Sequence, residues 1–473
     1  MSDQALGNAS IKRVAFGGVT AFAIYVAGTG VTACAQLLIA RIVGAETYGV
    51  YAYVMAWMTI LAYFCALGFD MALLRFVAAY QTTGAWSLAR GVIQYAERRA
   101  LAVGILVILA GALVIFSQPR LSPALRVTFL AGFILVPVLA LLWIRCSTIR
   151  AFGGVTMAVL PDKVVRDGVL LVLVVLAPAV LGRRADAPAV MMATVVGAVV
   201  ALGLASLAVR RLQPDGLTTA QSEYAAATWR RTAVPLLIIG AAEALLNRTG
   251  VMLLGWFGET REAGIYSLAF NVAFLVALPR TAINILFAPT ISGLFTRRDQ
   301  AALQALVTTA ASWTLSAAVC IALVLALLAE PILAWFGKDF VAGVPALRLL
   351  LAGQVIVASY GSQLPVMTMT KHERGAAVIL IFSAMINIAA GCVFIAILGL
   401  TGAAVATTIA LVVWNVAMAC FISRHLQLTP GIFGMFGSKR TRYSIRGHQL
   451  MRMETSAVET CDLPARRLEN HPR

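Results

Sequence analysis

Apolar residues run along this chain in long blocks, and the links between the blocks carry most of the charge. A helix crossing a bilayer needs about 20 apolar residues. Blocks of that order predict helices over residues 14–40, 48–70, 100–117, 127–144, 164–182, 188–209, 233–256, 264–288, 305–329, 342–368, 376–399 and 402–423. The pattern is that of an all-α polytopic membrane protein with about 12 transmembrane helices. The fifth block is the weakest, because Val164-Val-Arg-Asp167 puts charge at its start and Pro178 interrupts its far end. A polar stretch, Leu212–Trp229, divides the helices into two sets of six. The resulting domains are an N-terminal six-helix bundle over 1–212, a linker over 213–231, a second six-helix bundle over 232–425 and a basic, disordered tail over 426–473.

Composition excludes the soluble alternatives. Of 473 residues, 61% are hydrophobic and 12% charged, with a mean hydropathy of +0.89. Soluble chains run near about 45–50% apolar and about 25% charged. The net charge of +17 is a topology signal, because most of the Lys and Arg lie on alternate links. By the positive-inside rule those links and both termini are cytoplasmic. Nucleic-acid binding is not expected, since the basic tail holds one tyrosine, Tyr443, and no aromatic platform. Beside plain disorder, the second reading of the tail is contact with anionic membrane lipid. Seven cysteines and four histidines show neither C-x-x-C pairs nor metal-ligand spacing, so no metal or cofactor is expected. The N-terminus, with Lys12-Arg13 leading into a long first block, does not read as a cleaved signal peptide.

Two links look alike. Gly44-Ala-Glu-Thr-Tyr-Gly-Val-Tyr51 joins blocks one and two, and Gly258-Glu-Thr-Arg-Glu-Ala-Gly-Ile-Tyr266 joins blocks seven and eight. Gly49 and Gly264 share an offset of 215 with Tyr51 and Tyr266. Six blocks separate the copies, so both halves have one orientation and are related by an axis along the membrane normal, with a cavity between them. The four residues are expected to be structural. Such a repeat belongs to transporters, and the absence of a G-x-x-x-x-G-K-[ST] sequence argues against nucleotide hydrolysis by that loop.

At these residues the chain resembles the polysaccharide-biosynthesis, oligosaccharide-flippase branch of the multidrug/oligosaccharidyl-lipid/polysaccharide exporter superfamily. The stretches that carry the resemblance are Gly44–Tyr51 with Leu67-Gly-Phe-Asp-Met-Ala-Leu-Leu-Arg75, Glu262–Asn271 running on to Ala288-Pro-Thr-Ile-Ser292, Trp335–Phe340 with Leu347–Gln354, and Met367–Arg374 with Gly402-Ala-Ala-Val-Ala406. The resemblance spans residues 10–425. It implies two six-helix bundles in a V that open alternately to the two membrane faces. It also implies a cargo of saccharide on an isoprenoid pyrophosphate, flipped from the inner to the outer leaflet of a bacterial plasma membrane. The implied neighbours are a polysaccharide polymerase and glycosyltransferases.

Ionisable groups at membrane depth mark function. Block seven holds Glu243, Asn247 and Arg248, and block eight holds Asn271, Arg280 and Asn284 with Pro279. Arginine grips phosphate oxygens in a bidentate way. Arg248 and Arg280 are therefore the candidate pyrophosphate contacts, and Asn247, Asn271 and Asn284 suit sugar hydroxyls. Glu243 and Asp70 are candidates for ion coupling. Bland readings stand beside these: Arg280 snorkels to the interface, Glu243 and Arg248 form a structural ion pair, and Asp70 pairs with Arg75 at a helix end. Two other functions make different demands on the chain. A cation-coupled multidrug exporter would call for an anionic, aromatic cavity. A membrane-embedded glycosyltransferase or polymerase would need a large outer loop with catalytic groups, and the outer loops here are short. The chain is thus expected not to be an enzyme.

Overall fold

The computed structural model describes residues 27–119, 121–181 and 185–434, and it is helical almost throughout, with no strand among the described residues. The start of the first block and the tail from residue 435 onward lie outside the described residues. The first half comprises α1 (Ala27–Val43), α2 (Ala45–Ala66), α3 (Phe69–Thr83), α4 (Trp86–Phe116), α5 (Pro123–Ala151), α6 (Val155–Val159), α7 (Arg166–Leu181) and α8 (Ala187–Leu212). A short α9 (Asp215–Thr219) lies in the link. The second half comprises α10 (Ala226–Trp256), α11 (Thr260–Phe274), α12 (Leu278–Thr296), α13 (Gln300–Leu327), α14 (Ala329–Phe336), α15 (Val344–Tyr360), α16 (Gln363–Met369) and α17 (Glu373–His425). Nine helical segments among the described residues are long and apolar enough to cross a membrane. The last of them, α17, holds two predicted blocks joined at Gly399, whose backbone (φ 54°, ψ −131°) is not helical.

In the first half α5 is the hub, packed against α2, α3, α4 and α8. In the second, α17 packs against α10, α15 and α16. The outward faces remain apolar: Leu106, Leu109 and Leu113 of α4 are 64%, 64% and 72% exposed. Lipid tails are as apolar as these side chains, so no penalty drives them inward.

The halves meet where the two repeated links end. Gly49 of α2 and Gly264 of α11 touch: a Cβ added to Gly264 would sit 2.8 Å from the Gly49 Cα, and it would run into the carbonyl of Ala45. Reciprocally, a Cβ on Gly49 would run into the carbonyl of Thr260. Only glycine lets two helix backbones come this close. Each α2/α11 equivalent also makes the same bond within its own half. The Thr194 hydroxyl lies 3.2 Å from the Tyr51 hydroxyl, and the Thr407 hydroxyl lies 2.8 Å from that of Tyr266.

Several sequence expectations need correction. The fifth block begins not at 164 but at Val155: α6 runs through a π-helical turn, Leu160–Val165, into α7. Pro161 cannot complete a regular turn, and the wider π turn accommodates it. Lys163, outside the predicted block, therefore lies inside a helix with Arg166 rather than in a link. The second block is broken at Leu67 and Gly68, both at positive φ (54° and 77°). The seventh starts at Ala226, inside the predicted linker. The predicted disordered tail does not begin at 426. Residues up to 434 dock on the second half, with the Gln304 side chain accepting from the Thr429 N–H at 2.7 Å and donating to its carbonyl at 2.8 Å.

Candidate functional site

Broken helices in corresponding positions of two halves point to a binding site. Here α2 gives way to α3 at Leu67–Gly68, and α11 gives way to α12 through a 3-10 turn at Leu275–Ala277, followed by Pro279 in the first turn of α12. At Gly68 a Cβ would run into the carbonyl of Ala233, so α10 lies directly against the first break. The charged groups of α10 and α12 gather along this seam.

Arg248 lies within electrostatic reach of Tyr48, Tyr51 and Tyr63 of α2 and of Arg166 from the first half. Its expected partner is not there. Glu243 acts on Arg280, not on Arg248, so the alternative of a structural Glu243–Arg248 ion pair does not hold. Five residues on a helix put two side chains on different faces, and Glu243 turns to α12 instead. Among the described residues neither Arg248 nor Arg280 forms a salt bridge. Glu243, Arg248 and Arg280 are each partly accessible, although protein surrounds them.

The other candidate residues separate. Asn247 donates to the Glu243 carbonyl at 2.9 Å, within its own helix. Asn271 donates to the Tyr48 hydroxyl at 3.1 Å, tying α11 to α2 across the halves. Asn284 lines a small cavity with Phe287, Ile291, Leu306 and Ser362, between α12, α13 and α16. Its Oδ1 has no hydrogen-bond partner among the described residues. Asp70 is in the first turn of α3, where the helix dipole favours a carboxylate. The cation that acts on it is Arg150. The expected Asp70–Arg75 pair does not form, because Arg75 reaches across to Glu373 on α17 at 3.2 Å.

Sequence reasoning missed a second charged cluster. On the bent fifth span, Arg166 contacts Asp162 at 3.0 Å and Asp167 at 3.0 and 3.2 Å, while Lys163 contacts Asp162 at 3.4 Å. Asp167 is 2% exposed. Two carboxylates and two cations cancel, so this cluster is closed on itself. The i, i+4 spacing of Asp162 and Arg166 next to Pro161 was the available signal. Tyr48 and Tyr63 were missed too. Tyr63 lies within reach of Asp70, Asp162, Glu243 and Arg248, at the middle of the charged groups.

The sequence profile of the family described as polysaccharide biosynthesis protein matches residues 20–295. The chain belongs to that family. None of the curated proteins matches it significantly. Solved structures show the fold of this family member. A multidrug-resistance MATE family transporter of the MOP superfamily, in an inward-facing conformation, superposes with a TM-score of 0.65 at 15% identity, covering 83% of this chain and 93% of that one. A Vibrio cholerae MATE transporter gives 0.63 at 14%, covering 89% and 98%. A MOP superfamily transporter from Pyrococcus furiosus, described as having a binding pocket of reversed polarity that suggests a different function, gives 0.61 at 16%, covering 86% and 94%. The polysaccharide biosynthesis family protein is thus a multi-pass membrane protein with the MATE fold.

Proposed function

We propose that this protein flips an isoprenoid-pyrophosphate-linked oligosaccharide from the inner to the outer leaflet of a bacterial plasma membrane, by alternating access, for surface polysaccharide or lipopolysaccharide synthesis. The observation that carries the reading is the charge of the seam. The Asp162/Lys163/Arg166/Asp167 cluster cancels internally. Glu243 then acts on Arg280 alone, and no carboxylate is among the groups acting on Arg248. A cationic surplus away from bulk water suits a pyrophosphate, and planar guanidinium groups match its oxygens. An organic cation would need the opposite surplus. For the Pyrococcus furiosus transporter, too, the polarity of the binding pocket is the feature said to suggest a different function.

In this scheme the Arg-rich links and both termini are cytoplasmic. Asn271 stands next to the seam, and Glu243 is the preferred ion-coupling group because its counter-charge, Arg280, is one that cargo can take away. Asp70 is the second choice, since its position at a helix N-terminus already accounts for it. A polymerase and glycosyltransferases supply and consume the cargo.

The test is complementation of a deletion strain, reading lipid-linked sugar on the inner leaflet and surface glycan. Arg248→Ala is expected to abolish surface glycan with accumulation of the intermediate, and Arg248→Lys to restore it only in part. Since Glu243 is not the partner of Arg248, adding Glu243→Gln is expected to bring no rescue. A deletion strain with normal glycan and new dye sensitivity would overturn the proposal in favour of drug export.

A further inference from the structure

We infer that the protein carries a second binding site, for the headgroup of an anionic phospholipid, on the outer surface of its first half. It is formed by α4 and the link between the halves, by residues other than the charged groups of the seam, and it does not depend on what the seam transports. A cavity of about 330 Å³ opens there, lined by Tyr95, Arg98, Arg99 and Ala102 of α4 and by Tyr224 of the link.

The cavity is built rather than incidental. The link is pinned to α4: Arg90 donates to the carbonyls of Thr218 (2.8 Å) and Ala220 (2.7 Å), and the hydroxyls of Ser222 (2.9 Å) and Tyr224 (3.2 Å) donate to the Gln94 side chain. At Gly91 a Cβ would run into the carbonyl of Glu223, so the link needs that glycine to lie this close. Behind the opening Tyr224, Trp229 and Tyr95 stand ring against ring, with centroids 6.4 and 5.6 Å apart, and Trp229 is fully buried. Aromatic side chains of this kind gather at the membrane–water boundary.

Charge and shape name the occupant. Arg98 and Arg99 are exposed, and neither has a salt bridge among the described residues. The Arg99 guanidinium lies 5.4 Å from the Tyr95 ring centre, a cation–π contact that leaves its donors free. One helical face continues from this pair: Ala102, then Ile105, Leu106, Leu109 and Leu113, of which the last four are 49–72% exposed. Arg99 to Leu113 spans roughly 20 Å at about 1.5 Å per residue, enough to lie along an acyl chain. A phosphate on the arginines with its acyl chains on that stripe satisfies both ends. A water-soluble anion would leave the stripe unused.

Native mass spectrometry of the full chain in detergent, titrated with phosphatidylglycerol or phosphatidylcholine, tests this. The protein is expected to prefer phosphatidylglycerol. Arg98→Ala/Arg99→Ala is expected to weaken the first phosphatidylglycerol roughly 30-fold, on the scale of about 1 kcal/mol per arginine at an anionic surface. Ala102→Trp fills the cavity while keeping every charge, and is expected to weaken it at least as clearly. Arg230→Ala/Arg231→Ala removes two other exposed arginines and is expected to change nothing. An equal loss from the Arg230/Arg231 variant would mean diffuse surface charge and overturn the site. So would wild-type binding by Ala102→Trp in protein whose melting temperature is unchanged. Displacement of the lipid by an equal concentration of inorganic phosphate would overturn the role of the apolar stripe.

Discussion

Removing Arg166 distinguishes a structural charge from a cargo contact. In Arg166→Ala the guanidinium leaves two carboxylates behind. Asp162 keeps Lys163 at 3.4 Å. Asp167, 2% exposed and held by Arg166 at 3.0 and 3.2 Å, is left without a cation. Breaking a buried pair by removing one partner costs about 3–5 kcal/mol, because the remaining charge is uncompensated. Asp167→Asn added to Arg166→Ala removes that charge, and the remaining loss falls to roughly 0.5–1.5 kcal/mol, the scale of a lost hydrogen bond. Detergent-solubilised protein should therefore melt several degrees lower for Arg166→Ala and recover most of the loss in the double variant. Surface glycan should follow stability: low in the single variant, restored in the double. Two results would refute the reasoning. Wild-type stability of Arg166→Ala would mean that Asp167 is not an isolated charge when the arginine is gone. A stable but inactive Arg166→Ala/Asp167→Asn would place Arg166 among the groups that bind cargo.

Gly49→Leu or Gly264→Leu forces α2 and α11 apart, at an overpacking cost of about 1–3 kcal/mol; membrane insertion should be normal and transport reduced, and normal glycan in both variants would contradict a packing role. Tyr51→Phe and Tyr266→Phe each remove one hydroxyl facing a buried threonine, so melting should show similar losses of about 1 kcal/mol for both. For topology, cysteines placed near Arg90 and Gln221 should react only with reagents that enter the cytoplasm, and periplasmic labelling of Gln221 would mean that one of the first six spans does not cross.

The apolar blocks by themselves determined the fold class, because in lipid every backbone group must be satisfied within its own helix and block length alone measures the span. The duplicated link, with Gly49/Gly264 and Tyr51/Tyr266 at one offset, showed the internal repeat in the same way, since turn and close-contact glycines leave a local mark. What the sequence could not say is which side chains meet. Glu243 and Arg248 are five residues apart, yet rotation about the helix axis and the approach of α12 give Glu243 to Arg280. Asp70 and Arg75 parted for a similar reason: the chain breaks at Leu67–Gly68, Asp70 takes the helix start, and Arg75 finds Glu373 from the other half. In the sequence Arg166 is a charge that weakens the start of the fifth block. The structure shows Asp162 and Asp167 closing around it with Lys163 beside them, which makes the group a neutral cluster. Contacts between different helices depend on helix rotation and crossing, and those are decided by packing across the whole bundle rather than by any local stretch of sequence.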